Sequence, residues 1–388
     1  MTAREEWFEL MNEMASFYQE GAYAAAITKG EAALALIDGL SANEQGTTLN
    51  NLASMYREQG LYDRAEPLYL RALEIRERAL GKDHPSVAMT LNNLAGLYEA
   101  QRLYDRALTY FQTSVERQYN FLRKRLAHIN EQEHKLYLKD LKLTLELLLS
   151  LVYRHLNTSP PAIAIALNAV LLTKNLSAAA LAARNAIVHS GNPELQPKPH
   201  QIRALLAQSN NLAYNDPRQA EIRNRIRAIE IEIARIAPEV MLPDVLEIDR
   251  QAIALKLPSD SSLVEFIRFD VYDFDSKSWD SALYLAFVYS PERSDEIQMV
   301  DLGLAAEIDT LIDTCRKSIL NIYNSVETAA PCIPDRIEEF SIDSLESVRA
   351  RIIALLHLDR TSHAIIAVDG ALSFLVSTAV SIYSIIPI

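Results

Sequence analysis

"TLNNLASMYREQGLYDRAEPLY" runs from Thr48 to Tyr69, and "TLNNLAGLYEAQRLYDRALTYF" runs from Thr90 to Phe111. The second stretch restates the first at an offset of 42 residues. It sets Leu52 over Leu94, Ala53 over Ala95, Tyr56 over Tyr98, Tyr62 over Tyr104, Ala65 over Ala107 and Tyr69 over Phe111. A weaker copy precedes them in "MASFYQEGAYAAAITKGEAALALI", where Gly21, Tyr23, Ala26 and Leu34 stand in for Gly60, Tyr62, Ala65 and Leu73. Self-similarity at this period marks a repeat array, in which no unit buries its apolar face alone and each stacks on its neighbours.

Each unit reads as helix-turn-helix. Leu49, Leu52, Ala53 and Tyr56 fall at i, i+3, i+4 and i+7, one stripe of an α-helix. Gly60 is suited to end that helix, because glycine alone reaches the left-handed region without a Cβ clash. A second stripe follows at Tyr62, Ala65, Tyr69, Ala72 and Leu73, where small and aromatic side chains alternate and two helices interlock closely. "LGKDHPS" then breaks the pattern, with Asp83 expected as N-cap and Pro85 in the next first turn.

These residues, and "AEPLYLRALEIRERALGKDHPSVA" (Ala65–Ala88) in particular, resemble tetratricopeptide repeats of the kinesin-light-chain kind. The resemblance implies an all-α superhelix over residues 1–125, built from about three units, whose first helices line a concave peptide-binding surface. Asn50, Asn51, Arg57, Asn92 and Asn93 are then the candidates to contact a partner's backbone, and the expected partner is a protein or peptide. About three repeats is the minimum for a stable array, so support from the following segment is expected.

Residues 126–245 keep the helical period without the repeat signature and read as a helical linker. "YLKDLKLTLELLLSLVYRHL" (Tyr137–Leu156) is apolar but interrupted by Lys139, Asp140, Lys142 and Glu146, so it reads as a core helix rather than a membrane span. "GNPELQPKPHQ" (Gly191–Gln201) is the clearest loop. Ile222, Ile226, Ile229 and Ile233 recur at spacings of four, three and four, as in helices packed into a hairpin arm.

Near residue 255 the period changes to alternation. "SLVEFIRFDVYDF", "SALYLAFVYS" and "EIQMVDLG" read as strands, "AAEIDTLIDTCRKSILNIYNS" and "SLESVRARIIALLHL" as helices, and "HAIIAVDGALSFLV" as a strand and turn. Strands interleaved with helices indicate an α/β domain with a partly parallel sheet. "LPSDSSLVEFIRF", "YLAFVYS", "IQMVDLGLAAEID" and "AIIAVDGALSFL" resemble, in this order, the CHAT domains, which are caspase-like and associated with tetratricopeptide repeats. The resemblance implies a multidomain chain, with the repeat superhelix and linker followed over residues 246–388 by a partial, C-terminally truncated caspase-like α/β domain.

That family cleaves peptides with a His that activates a Cys thiol, the His in a His-Gly pair and both residues beyond this strand. No His-Gly pair occurs in the chain and no cysteine follows Cys332. No catalytic residue is therefore assigned, and a non-enzymatic scaffold is expected. The alternative is the N-terminal portion of a cysteine peptidase whose dyad lies beyond the chain. A dyad of Cys315 or Cys332 with His357 or His363 would invert the family's order. Asp270, Asp273, Asp275 and Asp280 gather in "DVYDFDSKSWD" without the glycine and terminal Glu of a calcium loop, and read as a solvated hairpin. No cofactor or metal is implied.

A net charge of −13 argues against nucleic acid as a partner, since phosphates attract concentrated Lys and Arg. Two cysteines make no disulfide framework, and the acidic start "MTAREEWFELMNEM" has no signal-peptide pattern. A cytoplasmic setting is the expectation. The uncharged stretch 371–388 is barely long enough for a membrane span and carries serines and Pro387. The strand at Ala364–Val368 is expected to present an unpaired edge through which chains could self-associate.

Overall fold

The computed structural model describes residues 2–125, 131–189, 218–236, 261–290, 297–310, 313 and 363–367, with isolated positions between 194 and 208. Three helical hairpins come first: α1 (Ala3–Gln19) with α2 (Tyr23–Ala35), α3 (Ala42–Glu58) with α4 (Tyr62–Leu80), and α5 (Pro85–Ala100) with α6 (Tyr104–Arg125). They are followed by α7 (Glu131–His155), α8 (Pro160–His189) and α9 (Arg218–Ile236).

The helix starts follow local chemistry. In α1, Thr2 Oγ1 accepts the Glu5 N–H while the Thr2 N–H donates to Glu5 Oε2 at 2.8 Å. Ser41 and Glu44 repeat this reciprocal cap at α3, supplying partners to N–H groups that the helix leaves open. Glu44 Oε1 also accepts from Arg4 Nε at 2.8 Å, tying α3 to α1. At α5 the cap is His84, not the expected Asp83: His84 Nδ1 accepts the Ser86 N–H at 3.2 Å. The reason is Pro85, which forces the residue before it into the extended conformation an N-cap needs. Asp83 instead faces Arg117 at 3.6 Å.

Each hairpin turns through one left-handed residue: Gly21 (φ +73°), Gly60 (φ +70°) and, at the position equivalent to Gly60, Arg102 (φ +61°). The predicted stripes form the interior. Leu49, Leu52, Ala53, Ala65, Tyr69 and Ala72 are buried, as are their counterparts Leu91, Leu94, Ala95, Ala107, Phe111 and Ser114. Tyr69 Oη lies 2.8 Å from Ser54 Oγ. In the next unit both hydroxyls are absent together, with Phe111 for the tyrosine and Gly96 for the serine. Between units, Tyr56 donates to Glu31 and Tyr98 donates to Glu66 Oε1 at 2.6 Å. Arg64 and Arg106 lie over the faces of those two rings, 5.6 Å and 4.5 Å from their centres.

In the arm predicted around α9, Ile222, Ile226 and Ile229 pack with Leu205, and Lys198 Nζ meets Glu232 Oε2 at 2.7 Å. The chain folds as two compact units, residues 1–148 with 173–246 and residues 149–172 with 247–388. The expected linker is thereby shared between them. Among the described residues no helix is long and apolar enough to cross a membrane.

The second unit holds β1 (Ser261–Asp273), β2 (Ser278–Tyr289), β3 (Ile297–Leu304) and β4 (His363–Ala367) in the order β3-β2-β1-β4. β2 is antiparallel to both β1 and β3, and β4 runs parallel to β1 with Leu263 opposite Ile365. β1 ends at Asp273, within the strand read from "SLVEFIRFDVYDF", while β2 starts at Ser278, three residues before the expected Ser281. Tyr272 pairs with Trp279, and the turn occupies residues 274–277. Residues 305–310 are helical, and Asp309 there accepts from Tyr284 Oη at 2.8 Å and meets Arg268 Nε at 3.4 Å. Cys315, Cys332, His357, the helix expected over 344–358 and the tail from Val368 lie outside the described residues.

Candidate functional site

Three threonines organise the face made by α3, α5 and α7. Thr48, Thr90 and Thr144 each donate to the carbonyl four residues earlier, of Glu44, Ser86 and Asp140. Each also accepts an N–H from an earlier hairpin: Trp7 Nε1 to Thr48 at 2.8 Å, Arg76 Nη1 to Thr90 at 2.7 Å, and Gln118 Nε2 to Thr144 at 2.8 Å. Arg76 and Gln118 occupy equivalent positions, 42 residues apart. α7 therefore continues the array as the first helix of a further unit, beyond the point where the sequence signature fades. With Thr144 in register, "TLNNL", "TLNNL" and "TLELL" align at Thr48, Thr90 and Thr144.

Arg76 is buried, and Gly46 leaves room for it: a Cβ there would lie 2.7 Å from Arg76 Nε. Its guanidinium also donates to the Ser86 carbonyl and to Thr47 Oγ1. Burial pushes its pKa down.

The asparagines proposed as partner contacts sit beside this ladder. Asn50 is only 4 % exposed and its Oδ1 accepts from Asn93 Nδ2 at 2.9 Å, so this pair joins α3 to α5. Asn51 is half-buried on α3. Arg57 is held by Glu58, with Nη2 to Oε1 at 2.8 Å, and lies so near α5 that a Cβ on Gly96 would come within 3.0 Å of Nη1. Asn92 Nδ2 donates to Thr144 Oγ1 at 2.7 Å.

Asn92 differs from its equivalent, Asn50. The hydroxyl proton of Thr144 goes to the Asp140 carbonyl, so Thr144 Oγ1 receives N–H from both Asn92 and Gln118. In this arrangement the Asn92 amide turns its N–H toward Thr144. Asn92 Oδ1 is then buried, and among the described residues nothing donates to it. For Asn50 the donor is Asn93, and the matching place on α7 belongs to Leu147, which has no N–H in its side chain. An unpaired buried acceptor costs about 1–3 kcal/mol.

A cavity of about 220 Å³ opens at this rung. α5 contributes Pro85, Met89 and Asn92, α6 contributes Gln118 and Phe121, and α7 contributes Tyr137, Asp140, Leu143 and Thr144. Phe121 and Tyr137 meet edge to face at 4.9 Å. Met89 and Leu143 remain 55 % and 42 % exposed at its rim. Desolvation raises the pKa of the Asp140 carboxyl, and the neighbouring Lys139 charge works against that shift. Ser86 and Tyr137 add hydroxyl groups to its lining. Among the described residues no three His, Cys, Asp or Glu side chains converge on a metal-sized site.

In the second unit, the acidic hairpin has a partner that the sequence did not disclose. Arg154 bonds Asp280 and lies 3.9 Å from Asp273, Tyr153 Oη donates to Asp301 Oδ2 at 2.8 Å, and the Tyr272 N–H donates to Ser150 Oγ at 2.8 Å. Burial and the bond to Asp301 push the Tyr153 pKa up to about 12. Asp273 Oδ1 accepts the Asp275 and Ser276 N–H groups, which with Arg154 lower its pKa. These contacts fasten the end of α7 to the sheet and bring no nucleophile and base together.

Sequence reasoning missed Asp140, Thr144, Gln118 and Met89. The available signal was the threonine that opens each "TL" motif, which persists at Thr144 after the asparagines have gone. A family model for the tetratricopeptide repeat matches residues 44–120, which span α3 through most of α6. No curated protein matches the chain.

Proposed function

We propose that this chain is a protein-interaction scaffold that holds a peptide or helix of a partner against the face formed by α3, α5 and α7. The observation that carries this reading is the threonine ladder. It lines up successive first helices as one surface and leaves an open cavity at the α5–α7 rung. The tetratricopeptide repeats of residues 44–120 support it, because such repeats commonly mediate protein–protein interaction. The reading includes a concave, kinesin-light-chain-like surface, a cytoplasmic setting and a C-terminal segment of CHAT, caspase-like kind without catalysis of its own. It also includes docking of a second chain along β4, which stands at one end of the four described strands.

Selection of random short peptides on the immobilised full chain tests the scaffold. Binders are expected to compete with one another and to weaken on Asn51→Arg, a large charge placed on α3. Recovery of no binder, or binders indifferent to changes on α3 and α5, would overturn it. Incubation with fluorogenic peptides tests the absence of catalysis. Turnover abolished by Cys315→Ser or Cys332→Ser would replace the scaffold with a cysteine peptidase that carries its own nucleophile.

A further inference from the structure

We infer that the rung between α5 and α7 is a yielding joint of the array, which parts in the free protein and is closed by a partner lying across it. The closing rests on the scaffold reading, and the parting does not.

Exchanges at equivalent positions loosen this rung relative to the one before it. Arg76 bridges two first helices, donating to Thr47 Oγ1 on α3 and to Thr90 Oγ1 and the Ser86 carbonyl on α5. Its equivalent, Gln118, donates to Thr144 Oγ1 on α7 and otherwise to Ser114 of its own helix. The place of Thr47 belongs on α5 to Met89, which carries no hydroxyl. Asn93 closes Asn50 Oδ1 across the earlier rung, whereas Leu147 brings no N–H to the later one. The buried Asn92 Oδ1 therefore has no donor among the described residues. Water reaches such an acceptor once the helices part, so its cost in the closed form weights the equilibrium toward opening.

Packing differs in the same direction. In the earlier rung the Arg76 side chain fills the space beside Gly46. The later rung holds the cavity of about 220 Å³, lined by Met89, Phe121 and Leu143. Contacts that a cavity leaves unmade do not resist separation of its walls. The proposed partner face crosses this joint, with Met89 on α5 and Leu143 on α7. A ligand that touches both helices binds the closed form better and shifts the population toward it.

Amide hydrogen exchange of the full chain, corrected for intrinsic rates, measures how often each helix opens. Residues 141–148 of α7 are expected to open about tenfold or more often than residues 46–56 of α3. Two variants relieve the orphaned oxygen by opposite routes: Leu147→Asn supplies its donor, and Asn92→Leu removes it while Gln118 still serves Thr144. Each should reduce opening of α7 about tenfold and leave α3 unchanged, with far-UV circular dichroism confirming that it is folded. Equal exchange in α7 and α3, or α7 exchange indifferent to both variants, overturns the joint. Saturation with a peptide selected on the full chain should likewise slow exchange in α7. A bound peptide that leaves α7 unchanged overturns the closing while the scaffold stands. If no peptide binds, the scaffold and the closing fail together, and exchange in the free protein still decides the joint.

Discussion

The hairpins α3–α4 and α5–α6 share most of their sequence and differ in what lies next to them. Asn50 and Asn92 sit at the same place in the same motif. The first is closed by an asparagine on the following helix; for the second the equivalent position is Leu147, and among the described residues its buried oxygen has no donor. Arg76 and Gln118 likewise do the same work for successive threonines, one with a charge and one without. A repeat's own residues set its shape. Its neighbour decides which of its polar groups are paired.

The comparison can be broken hardest at the aromatic anchors. Tyr69→Ala and Phe111→Ala each empty the centre of one hairpin and are expected to cost about 3–5 kcal/mol in chemical denaturation. Tyr69→Phe, which makes the second unit resemble the third, should cost only about 1 kcal/mol through the lost contact with Ser54. A large loss there would mean that the two interiors are not equivalent.

Gly46→Ala places a methyl 2.7 Å from Arg76 Nε and is expected to destabilise by about 1–3 kcal/mol. The equivalent position already holds Ala88, opposite the uncharged Gln118. Gly46→Ala combined with Arg76→Gln should therefore recover part of the loss. Asn93→Ala strips the donor from Asn50 and should cost about 1–2 kcal/mol.

Arg102→Gly sharpens the comparison in the other direction. Arg102 holds a left-handed backbone that Gly21 and Gly60 hold without strain, so the variant should gain about 1 kcal/mol. An unchanged or lower denaturation midpoint would refute this.

The smallest effect concerns the helix starts. Glu44 has its pKa lowered to about 2, first by the Ser41 hydroxyl, then by the Ser41 N–H and by Arg4. A depressed carboxylate stabilises the fold above its ordinary value of 4.5 and loses that contribution as pH falls from about 4.5 to about 2. Denaturation midpoints measured across that window should fall more steeply in the native protein than in Glu44→Gln. α5 is capped by His84 and has no such carboxylate.

The stripes of Leu, Ala and Tyr are enough to place α1 to α6, because a period near 3.6 and a left-handed turn residue are local properties of the chain. Alternation does the same for β1, β2 and β3. Asp83 is the stronger capping residue by type, yet the constraint imposed by Pro85 acts on the residue directly before it and gives the cap to His84. The acidic hairpin reads as merely solvated because its cation, Arg154, lies more than a hundred residues away. The five proposed contact residues lie on the expected helices, α3 and α5. The roles of Asn50 and Asn93 in joining those helices depend on a bond 43 residues long in sequence.

By itself the sequence determined the helical hairpins, their register of 42 and the alternation of the strands from Ser261 onward, all of which follow from periodicity and backbone preference. Only the tertiary structure decided that α7 joins the array and that the buried Asn92 oxygen meets no donor among the described residues. Whether a polar atom is spent or free depends on which donor a distant segment brings to it, and no local pattern encodes that.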